Sequence, residues 1–145
     1  MRFVVVDERD VSLTILESAL KQTDAAYLIE RDEESDSEGA LTYNSIIYGQ
    51  IEVNRSGDGI FDEEVEELKE FAKEAIGEKK AEVLSVLNEA KAIIAVRVLS
   101  QGREDEETLE RIDPLWHWLF SNRKGLMHAD GEGYYDVVGL VLKVA

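Results

Sequence analysis

Residues 54–65, NRSGDGIFDEEV, carry oxygen donors at nearly the spacing of a calcium-binding loop. With Asp58 and Gly59 at the fifth and sixth loop positions, Asn54 and Ser56 fall at the first and third. Phe61 then takes the apolar eighth and Asp62 the ninth. The twelfth position, which should supply a bidentate glutamate, is Val65. Asn54 stands where an aspartate is usual, and a strand pattern precedes the loop instead of a helix. Two charged ligands are therefore missing, and a strand–turn–helix junction capped by Asp62 accounts for the same residues. A second inventory is His117 and His128 with Asp130, Glu132 and Asp136, imidazoles and carboxylates of the kind that bind zinc. Neither histidine has a paired ligand three or four residues away, so a packed or turn-flanking imidazole is the favoured reading of each and no metal site is assigned.

Arg97 is the one cation in an otherwise apolar run, residues 92–99, AIIAVRVL. It must reach solvent or a carboxylate, and with His117, His128 and Glu132 it defines a candidate ligand pocket. Hydrolytic chemistry has little support. The chain has no Gly-x-Ser-x-Gly elbow, no phosphate-cradling glycine loop and no cysteine. Among 32 acidic residues some carboxylate pair occurs at any chosen spacing, so such pairs diagnose nothing. No cofactor is expected, and the reading inclines away from an enzyme.

A different chemistry, that of recognition, gathers in residues 113–136, which hold both tryptophans, both histidines and the only proline. Trp116 and Trp118, two positions apart on a helix, point about 200° away from one another, which makes one of them a candidate exposed anchor. Tyr134 and Tyr135 follow the glycine-rich turn at 130–133 and extend that aromatic surface. Candidate interaction residues are thus Trp116, Trp118, Tyr134 and Tyr135, with Glu63, Glu67 and Glu70 from an acidic helix.

The formal net charge is −16, from 32 acidic against 16 basic residues. Nucleic-acid affinity rests on neutralising phosphates with Lys and Arg, so DNA and RNA are not expected partners, and neither is an anionic membrane surface. Such a field steers cations and basic proteins toward itself, although acidity also serves solubility alone. The apolar run at 3–6 ends at Asp7, too short for a signal-peptide core or a membrane span, and a cytoplasmic protein is expected.

The elements that must position these residues follow from periodicity. A β-branched strand at 3–6 precedes a helix ending near Thr23, with Leu13, Leu16 and Leu20 on one face and Asp10 or Ser12 as N-cap. A short strand at 27–30 runs into an exposed acidic loop at about 30–39. Residues 41–53 read as β, with Ile47, Ile51 and Val53 on one face and Gly49 marking a bulge. An acidic helix from Asp62 to Gly77 and a second helix at 78–91 lead to a central strand at 92–99. Residues 104–113 read as helical, and Pro114 is placed to open a separate helix that Gly125 closes. A final strand covers 139–144.

With 145 residues the chain is expected to fold as one α+β domain. The order implies a mixed or mainly antiparallel sheet of about five to six strands, with three to four helices mostly on one face. Two functions fit. One is a noncatalytic acidic interaction protein that binds a basic partner, as an inhibitor or immunity protein would, or that self-associates through its aromatic segment. The other is a small enzyme or ligand-binding domain with its pocket near Arg97, His117, His128 and Glu132.

Overall fold

The computed structural model describes residues 1–31 and 36–144, so residues 32–35 of the expected acidic loop lie outside the described residues. Among the described residues the elements run β1 (Arg2–Val5), α1 (Leu13–Thr23), β2 (Tyr27–Arg31), β3 (Glu38–Tyr43), β4 (Ile46–Arg55), α2 (Gly59–Glu74), α3 (Lys80–Asn88), β5 (Ala92–Val98), α4 (Asp105–Asn122), β6 (Gly125–Ala129), β7 (Gly133–Tyr135) and β8 (Leu140–Lys143). The class is α+β, with one antiparallel sheet in the order β2-β3-β4-β5-β1-β6-β7-β8. The sheet has eight strands rather than the expected five to six. No described helix is long and apolar enough to cross a membrane.

The two extra strands come from turns. Asn44 and Ser45 both take positive φ, 50° and 66°, the geometry of a two-residue hairpin loop, and they divide the run 41–53 into β3 and β4. In the C-terminal third, Gly131 and Gly133, at φ 77° and 137°, turn the chain into the short β7. A Cβ on Gly133 would meet Leu142 O at 1.9 Å, so only glycine lets β7 lie this close to β8. Pairing shifts between Leu41↔Gly49 and Thr42↔Ile47, which leaves Tyr48 as the extra residue of a bulge beside Gly49. The bulge inverts the expected faces: Tyr48 joins Ile51 and Val53 in the core, while Ile47 moves to the polar side.

Helices cover both faces, not mainly one. Phe3, Val5, Ile94 and Val96 point toward α1 and α4, where Leu13, Leu16, Leu20, Ile112, Leu115 and Trp116 meet them. Val4, Ile93, Leu126, Tyr134 and Leu142 point the other way, toward Phe61, Val65, Leu68 and Ala72 of α2 and Val83 and Leu87 of α3. The cause is central strands apolar on successive residues, which must be covered twice. Helix α4 is continuous through Pro114, contrary to the expected break. Its buried residues, Thr108, Ile112, Leu115, Trp116 and Leu119, keep one helical stripe across the proline, and burying that stripe outweighs the single lost backbone donor. The outer strands are guarded: Glu17 Oε2 accepts the outward Ile29 N–H at 2.7 Å, and Ile76 pairs with Lys143 beyond β8.

Candidate functional site: an open acidic sheet face and its bordering helix

Cross-strand register arranges one face of the sheet in rows. The first row runs Glu30, Ala40, Gln50, Arg97, and the second Glu38, Glu52, Ala95, Arg2, His128, Tyr134, Leu142. Along the second row the environment changes from exposed Glu38 to Tyr134 and Leu142, each 1 % exposed beneath α2. Helices α2 and α3 bury their apolar residues against β1, β5, β6, β7 and β8. On the same face α2 reaches only the Asn54 end of β4, and Leu28, Glu30, Glu38 and Gln50 of β2, β3 and β4 are exposed.

A cleft of about 520 Å³ lies where the open half meets α2, with Glu38, Glu52, Glu64, Glu67, Arg2 and Arg97 on its walls. The helix is held to the sheet at this point by a polar chain. Asn54, at the end of β4 and 2 % exposed, donates from Nδ2 to Glu64 Oε1. Glu64 Oε2 lies 3.7 Å from Arg2 Nη1, and Arg2 Nη2 donates to Glu67 Oε1 at 3.1 Å. Burial raises the Glu64 pKa above its ordinary 4.5, with the Asn54 hydrogen bond and Arg2 opposing the shift. Asn54 is thus a structural anchor, and the N-cap of α2 is Asp58, which accepts the Ile60 N–H at 3.0 Å; the expected cap, Asp62, lies inside the first turn.

The residues singled out from sequence separate. Arg97 is exposed and stands in the cleft. His117 is exposed on α4, on the far side of the sheet from His128. His128 is 3 % exposed, stacked against Phe71 with ring centroids 5.3 Å apart and planes 2° from parallel. Burial lowers its pKa below the usual 6.5, and the nearby Arg2 adds to this. Glu132 is exposed on the β6–β7 turn and accepts the Tyr135 hydroxyl at 2.9 Å. Among the described residues no group of three or more histidines and carboxylates converges as metal ligands would.

The aromatic segment is mostly interior. Trp116 is 4 % exposed, and Tyr134 is buried with its hydroxyl donating to Leu68 O. Trp118 is half-buried at the margin of the α1–α4 core with the Arg123 guanidinium 4.9 Å from its ring, and Tyr135 is half-buried. On α2, Glu63, Glu67 and Glu70 are all exposed, but only Glu67 borders the cleft.

Sequence reasoning missed Arg2, Glu64 and the Glu30–Glu38–Glu52 side of the sheet, and it considered Asn54 only as a calcium-loop donor. Period-2 polarity at Glu30, Glu38, Gln50 and Glu52 was the available signal, hidden by the bulge and by the unseen turn at Asn44. No protein-family model matches the chain, and neither a curated protein nor a solved structure matches it.

Proposed function

We propose that the chain is a noncatalytic interaction domain that captures a basic protein on the open face of β2, β3 and β4 and the adjoining edge of α2. The observation that carries this reading is the uncovered half-sheet, where Glu30, Glu38 and Glu52 stand on neighbouring strands beside Glu64 and Glu67. A sheet face of that kind is broad and shallow, a shape suited to another protein more than to a small substrate. Its carboxylates would steer and orient a cationic surface, while Leu28, Ala40 and Ile47 supply apolar contact among them. Inhibition of a basic enzyme by covering it is one form such capture would take. The interaction reading is preferred over a small enzyme or ligand-binding domain because His117 and His128, two residues of that alternative's pocket, lie on opposite sides of the sheet.

The test is affinity capture. The immobilised chain is exposed to an extract of its source cells at low ionic strength and eluted with a salt gradient. The proposal expects a basic protein that is retained at low salt and released as salt rises. Retention of no basic protein refutes it.

A further inference from the structure

The two helical layers are offset across the sheet. The core beneath α1 and α4 takes strand residues from β1 to β5 and Met127 of β6, and none from β7 or β8. Register puts Leu140 in one row with Tyr135, Met127 and Phe3, and Ile76 on the same face opposite Lys143, so both project beyond the reach of α4. Residues 76–79 run beside the outer edge of β8. Ile76 pairs with Lys143, Gly77 lies against Val141 and Leu142, and Glu78 and Lys79 line a recess of about 590 Å³ with Val138, Leu140 and Val141. The guard at Lys143 therefore stops short of residues 137–140. At this corner stand the three most exposed large apolar side chains among the described residues, Val138 at 92 %, Val137 at 75 % and Ile76 at 61 %. The valines are held in place: Asp136 Oδ1 accepts the Val138 and Gly139 N–H groups at 2.8 and 3.0 Å, and the Asp136 N–H donates to Gly139 O at 3.0 Å.

We infer that this apolar corner of β8 docks a second copy of the chain in a two-fold dimer. Area is the first argument for that occupant. Ile76, Val137, Val138 and Leu140 together expose roughly 450 Å², the size of the largest and often functional patch on a monomer. Two such patches face to face, with their flanks, bury on the order of 1,000 Å², the least that a specific interface needs. Charge is the second argument. The charged residues of the recess are Glu78, Lys79 and Asp136, and the Asp136 carboxylate is committed to its own turn. That leaves an exposed acid beside an exposed base, a self-complementary pair: a two-fold axis sets Lys79 of one copy against Glu78 of the other, and the reverse. A basic partner meets no surplus of carboxylate here. Valines in a preset turn also lose little freedom on docking. The inference does not rest on the basic-partner reading, whose surface lies at the other end of the sheet.

The test is sedimentation equilibrium of the whole chain from about 1 μM to about 1 mM, in about 50 mM and about 500 mM salt. A reversible monomer–dimer equilibrium with a micromolar Kd is expected of a contact this small. Two copies of charge −16 repel one another, so the dimer should tighten by about threefold or more at the higher salt, the opposite of charge-driven capture. Val137→Ser/Val138→Ser, at exposed positions outside the core, should weaken it by at least about tenfold, and Ile60→Ser on the exposed start of α2 by less than about twofold. Glu78→Lys alone should weaken it by about threefold or more although the net charge falls, and adding Lys79→Glu should restore it. A monomer at every concentration overturns the inference, whether the corner then proves to hold another protein or phosphatidylcholine vesicles. So does a dimer that loosens with salt, ignores the double serine variant, weakens equally with Ile60→Ser or tightens with Glu78→Lys. None of these outcomes touches the basic-partner reading, which is decided by low-salt capture.

Discussion

The Asn54–Glu64 contact fastens the helix that borders the cleft, so Asn54→Ala is the most informative single change to the fold. Asn54 is almost fully enclosed, and its amide donates to a half-buried carboxylate. A hydrogen bond to a charged group contributes about 1.5–3 kcal/mol, so the substitution should cost about 2 kcal/mol, roughly a 30-fold fall in the folding equilibrium. Removal of Asn54 also deletes one of the interactions that hold the Glu64 pKa down, and that pKa should rise further above 4.5. A carboxyl with a raised folded-state pKa is penalised in its charged form, and the penalty fades as pH falls through the folded value toward the unfolded one. The deficit of Asn54→Ala should therefore be full at neutral pH and shrink toward pH 4.5. Urea unfolding of the wild type, Asn54→Ala, Glu64→Ala and the double variant, repeated at several pH values, measures all of this. The double variant should cost less than the sum of the singles by about 1 kcal/mol or more. Additive losses, or a deficit that grows on acidification, would refute the reasoning.

Two further outcomes follow from burial. The His128 imidazole should titrate below 6.5, so its contribution to stability is intact above that value and is lost as pH falls from 6.5 toward the folded-state pKa; an NMR midpoint at or above 6.5 would contradict this. Trp116→Ala should cost about 3–5 kcal/mol as a core deletion, while Trp118→Ala, at the margin of that core under Arg123, should cost under about 2 kcal/mol by urea unfolding. Equal losses would mean that both rings carry the core alike.

Much of the fold was legible because apolar periodicity is a local signal. The helix Leu13–Thr23, the central strand Ala92–Val98 and the acidic α2 could be read from spacing alone. What escaped depends on single residues or distant ones. The turn at Asn44–Ser45 has no glycine, and β7 is too short to show alternation. The proline in α4 is outweighed by a buried stripe that only packing reveals. The candidate site was less legible still. Its acids lie on β2, β3, β4 and α2, and antiparallel register, not sequence proximity, makes Glu38 and Glu52 neighbours. Histidines eleven residues apart in sequence lie on opposite faces because α4 packs on one side of the sheet while the His128 side chain, on β6 within it, points to the other.

Capture of cations by acidity in general, or by one face in particular, is decided by comparing two variants of identical charge. Glu30→Gln/Glu38→Gln/Glu52→Gln neutralises the open half-sheet, and Glu106→Gln/Glu107→Gln/Glu110→Gln neutralises exposed positions on α4. The affinity of the basic protein recovered by low-salt capture should fall by more than about tenfold with the first triple and by less than about threefold with the second. Equal losses would show that the charge acts without an address, and the open face would then have no claim to be the binding surface.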